Sequence, residues 1–219
     1  MIGVILMTSK YFILMSVSIV LMSSCSSVMN NFAPTDSFLS IKNYITGFPQ
    51  PHISQEDYNK YDSSFAVIRF GRGPVSIMSL AYARNGIYEW RSNDGIKIYT
   101  QNGIIIKTDG LIHDMEFAPT CFDSNLLNLP SIQSCKVSLY NPDLNQAYST
   151  FTISAKPDTS VLRFEKKIPV SELKAKIDIP SIRWSKENTF YLDQNVVLSA
   201  IQYIHPRLAP VYIEYYLVY

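Results

Sequence analysis

The sequence is short of most features that announce an activity. Its 19 basic residues face 18 acidic ones, a formal charge of +1 over 219 residues, so it has no basic field of the kind that holds nucleic acid. Cysteine occurs three times and never as Cys-x-x-Cys, which argues against the usual redox and zinc motifs. The three histidines, His52, His113 and His205, are far apart in the chain, and none has a second histidine four residues on. No metal site is expected from them. The eight glycines form no Gly-x-Ser-x-Gly elbow. Gly71-Arg72-Gly73 is not followed by a helical pattern, which makes it a hairpin turn rather than a phosphate cradle. Asp114 and Glu116 could share one strand face as a glycosidase carboxylate pair does; a solvated loop edge accounts for them more simply. No catalytic residue or cofactor is expected, and the chain does not read as an enzyme.

Long hydrophobic runs are also missing. The longest, Tyr11 to Met22, is preceded by Lys10 and followed by Ser23-Ser24-Cys25-Ser26-Ser27. One positive charge, an apolar stretch and small residues at the cut make a secretory signal. The stretch falls short of the ~20 residues of an ordinary membrane span. Met1 to Leu6 carry no charge, so Met7 is an alternative start. A cysteine directly after small residues resembles the bacterial lipobox, with Met22 where Leu is most usual. That resemblance implies cleavage before Cys25, diacylation of its sulfur and acylation of the new amine. Two or more acyl chains exceed what one chain achieves for stable anchoring. Ser26, rather than Asp, after the lipidated residue implies delivery to the outer membrane. The organisation expected is therefore a signal peptide over 1–24, a lipidated tether over 25–34 and a single β-rich periplasmic domain over 35–219. With Cys25 acylated, Cys121 and Cys135 remain as an even pair in an oxidising compartment. Bridged, they would close a loop worth ~3 kcal/mol in the chain-entropy model; the alternative is two buried free thiols.

Aromatics are what the chain has in excess. Fifteen Tyr and eleven Phe, in a sequence 47% hydrophobic, point to sheet rather than helix and to a sizeable core. Phe65 to Leu111 is the organising block. Short apolar runs alternate there with Gly71-Arg72-Gly73-Pro74, Asn85-Gly86, Asp94-Gly95, Asn102-Gly103 and Asp109-Gly110. Asn-Gly and Asp-Gly supply the positive φ of tight hairpins, so five successive antiparallel strands are predicted. Ile96 and Ile98 alternate with Lys97 and Tyr99, and Tyr88 and Trp90 oppose Glu89 and Arg91. One face is buried and the other at least partly wet. Phe65 to Phe70 is apolar on both faces. Strands continue at Lys136–Tyr140, Ala147–Ala155, Val161–Phe164, Val196–Ile204 and Val211–Tyr219, while Lys166–Ile179 fits a strand or a short helix. A helix over Asp36–Gly47 and a helical turn capped by Ser54 precede them. The fold class is all-β: a largely antiparallel meander forming a curved sheet, a barrel or a sandwich, with a short N-terminal helix.

Arg69-Phe70-Gly71-Arg72-Gly73-Pro74, Leu80-Ala81-Tyr82-Ala83, Trp90-Arg91-Ser92-Asn93-Asp94 and Thr100 to Leu111 carry a resemblance, resumed by Trp184, Asn188, Tyr191, Asp193, Ser199, Gln202, Pro206 and Pro210. With Cys25, this pattern resembles the YjbF/GfcB family, the group 4 capsule polysaccharide lipoproteins. The resemblance implies an outer-membrane lipoprotein acting in production, assembly or export of capsular or exopolysaccharide. Its expected partners are the membrane, through acyl chains on Cys25, and polysaccharide-export proteins or the surface polysaccharide itself. The residues expected to face a ligand are Tyr88, Trp90 and Tyr99, placed on one sheet face where rings could stack on sugars. Burial in the core explains the same residues without a ligand. A lipid or glycolipid carrier, with an apolar cavity inside a half-open sheet, is the alternative from a different class.

Overall fold

Period-two alternation becomes an inside and an outside when the sheet closes on itself. The computed structural model describes residues 53–119, 121, 122, 126 and 132–218. The expected signal peptide, Cys25, the expected tether, the helix expected over Asp36–Gly47 and His52 lie outside the described residues. After a one-turn helix α1 (Gln55–Tyr58) come β1 (Phe65–Phe70), β2 (Val75–Arg84), β3 (Ile87–Arg91), β4 (Lys97–Gln101), β5 (Ile104–Asp109) and β6 (Met115–Phe117). They are followed by β7 (Ile132–Leu139), β8 (Leu144–Ala155), β9 (Thr159–Arg163) and β10 (Lys166–Ile179). A 3₁₀ turn at Pro180–Ile182 leads to β11 (Trp184–Asp193), β12 (Val196–Gln202) and β13 (Val211–Tyr216).

The strands from β1 to β8 pair in chain order, β8 pairs with β10, and β10 to β13 follow in order. β13 then pairs antiparallel with β1, Phe65 opposite Tyr216 and Phe70 opposite Val211. The ring so closed contains twelve strands, and every pairing is antiparallel. Of the three architectures the sequence left open, the chain adopts the barrel. Closure removes the exposed edges that an open sheet of this size would carry. The Lys166–Ile179 segment is strand throughout.

The five predicted strands of the organising block are present. Asn85-Gly86 and Asn102-Gly103 hold both turn residues at positive φ, between 52° and 82°, as two-residue hairpins require. Ser54 caps α1, its Oγ accepting from the Asp57 amide at 3.0 Å. The apolar face of each strand points inward, where Ile68, Met78, Trp90, Ile98, Met115, Ile177, Phe190 and Ile213 fill the barrel. Phe117, Phe122 and Phe151 meet edge to face with centroids 5.0 to 5.4 Å apart. Cys121 and Cys135 are joined beside them, Cα atoms 5.5 Å apart, both buried. β1 is buried on both sides because its outward Phe65 and Val67 are covered by Ile53, Tyr58, Phe164 and Tyr216. Elsewhere the outer wall carries ion pairs, Lys107 with Glu116 at 3.0 Å and Lys174 with Glu172 and Glu187 at 3.4 Å. Those charges stand where a lipid-spanning barrel would place its apolar band.

Gly103 is where opposite walls meet. Its φ is +82°, and a Cβ built there would lie 2.5 Å from the Val197 side chain on β12. Gly86 has φ +75° but open space around it. An alanine at Gly86 meets only the left-handed backbone cost of ~1–2 kcal/mol, whereas at Gly103 overpacking adds ~1–3 kcal/mol more. Urea denaturation should therefore show Gly103→Ala losing about 2–5 kcal/mol and Gly86→Ala about 1–2 kcal/mol. Equal losses for the two would show that the Gly103 turn is not wedged against β12.

Candidate functional site

The barrel has two ends, each made of turns from distant parts of the chain. At one end the β4–β5 turn tucks inward against the β11–β12 turn and the last residues of β13. A cavity of about 130 Å³ opens there, lined by Tyr88, Trp90, Thr100, Asn102, Gly103, Asn195, Val196, Val197, Tyr215 and Leu217. The pleat places Tyr88 and Trp90 together, rings near parallel at 21° and centroids 6.0 Å apart. Trp90 is 1% exposed. Its indole Nε1 donates to Thr100 Oγ1 at 2.9 Å, so its polar edge is spent inside the fold. Tyr215 reaches from the opposite wall to 5.6 Å from Trp90 and donates its hydroxyl to the Gly103 carbonyl at 3.0 Å. Burial holds that phenol well above the usual tyrosine range.

Of the residues expected to face a ligand, the structure brings Tyr88 and Trp90 to this cavity and sets Tyr99 elsewhere. Tyr99 pairs with Glu89, not with Tyr88, in the β3–β4 register. Directly opposed residues share a face, and so Tyr99 lies on the outer wall, with the Lys107 ammonium 6.0 Å over its ring. Grouping the three aromatics on one face was therefore a parity error across the turn. Asn102 and Asn195 were not anticipated, since turn residues on unconnected hairpins carry no signal of meeting. Tyr215 and Leu217 share the inward parity of the last strand and were legible to that extent.

The lining includes no carboxylate, ammonium or imidazole. What it offers is aromatic and aliphatic surface beside amides and hydroxyls, suited to an uncharged group with one apolar and one hydroxylated side. At about 130 Å³ it is well below the ~300–1,000 Å³ of ordinary ligand pockets, and it admits a ring rather than an acyl chain. The two carboxylates considered from sequence are otherwise engaged. Asp114 accepts from Thr108 Oγ1 at 2.7 Å and from the amides of Gly110 and Leu111 at 3.0 and 3.2 Å, closing the β5–β6 turn. Glu116 pairs with Lys107 on the outer wall.

The opposite end joins two histidines that are far apart in sequence. His113, in the β5–β6 turn, stacks on His205, in the β12–β13 connection, with centroids 5.1 Å apart. His113 Nδ1 lies 2.6 Å from the Asn141 carbonyl. His205 is 2% exposed, and its Nδ1 accepts from the Arg207 amide at 3.1 Å. Among the described residues no group of three or more His, Cys, Asp or Glu gathers as a metal set would.

The class of protein is a closed antiparallel barrel, and the fold is shared: the chain is similar to the hypothetical lipoprotein YmcC from Escherichia coli (K12), with a TM-score of 0.66 at 16% identity, over 87% of this chain and 98% of that one. A proposed lipoprotein from Parabacteroides distasonis aligns over 78% of this chain and 96% of its own, at 14% identity and a TM-score of 0.35. No curated protein matches. Residues 39–216 match the family model described as group 4 capsule polysaccharide lipoprotein gfcB, YjbF, and the chain belongs to that family.

The buried histidine makes a pH prediction. Burial, reinforced by His113 and Arg207 and opposed by the Tyr140 carbonyl and Asp114, holds the His205 pKa at about 4 against an ordinary 6.5. A depressed histidine stabilises the fold fully above its unfolded pKa, and that stability drains as pH falls from 6.5 toward 4. The loss should be on the order of 3 kcal/mol. Asp109 and Asp178, held below the usual carboxylate range by partners such as Lys97 and Ser185, titrate lower still. Urea midpoints measured at pH 7 and pH 4.5 should diverge in the wild type and converge in His205→Gln; an unchanged divergence would assign the acid sensitivity elsewhere.

Proposed function

We propose that the protein is an outer-membrane lipoprotein, held by acyl chains on Cys25 with its barrel facing the periplasm, that serves as a non-enzymatic binding component in the production or export of surface polysaccharide. The observation that carries this reading is the family match over residues 39–216, which links the chain to capsule polysaccharide. The lipobox-like Ser23-Ser24-Cys25 supports the anchor. The uncharged, aromatic-lined mouth supports binding rather than bond cleavage, because Asp114 and Glu116 close a turn and form an ion pair instead of facing a cleft. The carrier alternative loses ground because the barrel interior is filled by side chains such as Met78, Trp90, Phe151 and Phe190.

Deletion of the gene should lower surface polysaccharide under conditions where that polysaccharide is made, and the wild-type gene should restore it. Cys25→Ala should move the protein out of the outer-membrane fraction and fail to restore. Unchanged polysaccharide in the deletion strain would refute the role, and retention of Cys25→Ala in the outer-membrane fraction would refute the anchor. Shortening of the purified polysaccharide on incubation with the protein would refute the non-enzymatic assignment.

A further inference from the structure

Among the described strands, β9 alone stands outside the closed ring, pairing only with Lys166–Val170 of β10. The hairpin they form crosses the outer wall instead of ending at the rim, and its tip is pinned. Arg163 Nη2 donates to the Tyr215 carbonyl at 2.7 Å, and its guanidinium lies 4.4 Å over the Tyr216 ring. Phe164 packs 5.8 Å from Tyr216 and 5.2 Å from Tyr58. The hairpin is thus a strap over β11, β12 and β13.

Two cavities of about 310 and 210 Å³ lie along these strands, the first between the strap and the wall and the second adjoining it on the wall alone, both larger than the one at the barrel mouth. Both are lined by Tyr191, Ser199 and Glu214. The β11–β12–β13 register places these three side by side, Tyr191 opposite Ser199 and Ser199 opposite Glu214, a row of about 10 Å across three strands. The strap contributes all of Thr159 to Arg163 to the first cavity, and Tyr212 extends the second. Tyrosine rings offer apolar faces for the C–H side of a sugar, and serine hydroxyls and a carboxylate accept from its hydroxyls. Charge narrows the choice. Arg163, the one cation in either lining, donates to the Tyr215 carbonyl and lies over the Tyr216 ring, while Glu214 accepts from the Tyr216 hydroxyl at 2.9 Å. With one carboxylate and one cation, the two linings carry no positive excess that would hold an acidic polymer.

We propose that this trough binds a neutral stretch of polysaccharide, laid across β11, β12 and β13 beneath the strap; the proposal rests on the polysaccharide role argued above. The test is calorimetric titration of the full lipoprotein in detergent with fragments of surface polysaccharide from the producing cells, separated into neutral and acidic fractions. The neutral fraction should bind. Tyr191→Ala should weaken it about tenfold, the scale of one lost ring contact, and Tyr191→Phe should largely restore it. Ser199→Trp should block the trough, whereas Tyr148→Ala, on an exposed ring of β8, should change nothing; circular dichroism and thermal melts check that each variant folds. A photo-crosslinker replacing Leu162, 57% exposed on the strap, should give a periodate-sensitive glycan adduct in cells.

Wild-type affinity in both Tyr191→Ala and Ser199→Trp overturns the proposal, as does preference for the acidic fraction. So does loss of binding in Tyr88→Ala with Tyr191→Ala intact, or a protein adduct in place of a glycan adduct. Absence of binding alongside a clear deletion phenotype overturns the trough and leaves the role standing. Trough-dependent binding without a deletion phenotype supports the trough and tells against the role.

Discussion

One side chain ties the two walls of the barrel. Gln202, on β12 and 1% exposed, accepts from the Ile105 amide at 2.9 Å and donates to the Gly103 carbonyl at the same distance. The Ile105 amide sits beside the β4–β5 register shift and the Gly103 carbonyl in the turn between these strands, so both take a partner from elsewhere. A buried amide or carbonyl left without one costs ~1–3 kcal/mol. The glutamine supplies both bonds at once, and Tyr215 adds a second donor to the same carbonyl. The turn can enter the barrel only because of this arrangement, and the mouth cavity is the space left around it. Shape and site therefore depend on the same few polar contacts in an otherwise apolar interior.

The outer wall obeys a second constraint. A closed barrel with a polar exterior should alternate buried and exposed residues along each strand, and β1 does not. Its outward Phe65 stacks on Tyr216 at 4.8 Å and 5°, and Tyr58 and Phe164 complete the cluster. This external apolar patch is what the strap tip and α1 are held against. Burying a phenylalanine-sized side chain is worth ~1.5–3 kcal/mol, which adds to the Arg163 contacts in holding the two-stranded ribbon to the wall. The strap and the apolar outward face of β1 are thus one feature seen from two sides.

How much of this could be read from the residues follows the range of the interactions. The Asn-Gly hairpins and the inward parity of Ile98, Trp90 and Tyr215 are local, and the sequence states them. The apolar character of both faces of Phe65–Phe70 was visible too, but not what covers the outer one. Closure of β13 on β1 joins residues about 150 positions apart, and no local pattern encodes it. The error over Tyr99 has the same origin: alternation is reliable within a strand, but which residue lies opposite depends on the turn. His113 and His205 read as isolated for that reason and turned out to be stacked. Lys166–Ile179 was ambiguous because its first five residues pair with β9 alone and its remainder with two barrel strands, so its two parts answer to different surroundings.

The mouth and the trough are not independent places on the molecule. A small cavity of about 80 Å³ lies between them, lined by Arg163, Val196, Val197, Leu198, Tyr215 and Leu217. Tyr215 serves both sides: its ring and hydroxyl line the mouth, while its carbonyl receives Arg163 from the strap. Val197 faces inward against Gly103 and Leu198 faces the trough, as strand alternation requires, and the register shift that leaves Leu198 unpaired lets Ser199 face the trough as well. Displacement of the strap would alter the hydrogen bond at the Tyr215 carbonyl, and that residue's hydroxyl is fixed to the turn that shapes the mouth. Strap and mouth thus share one residue, Tyr215, the first through its carbonyl and the second through its hydroxyl.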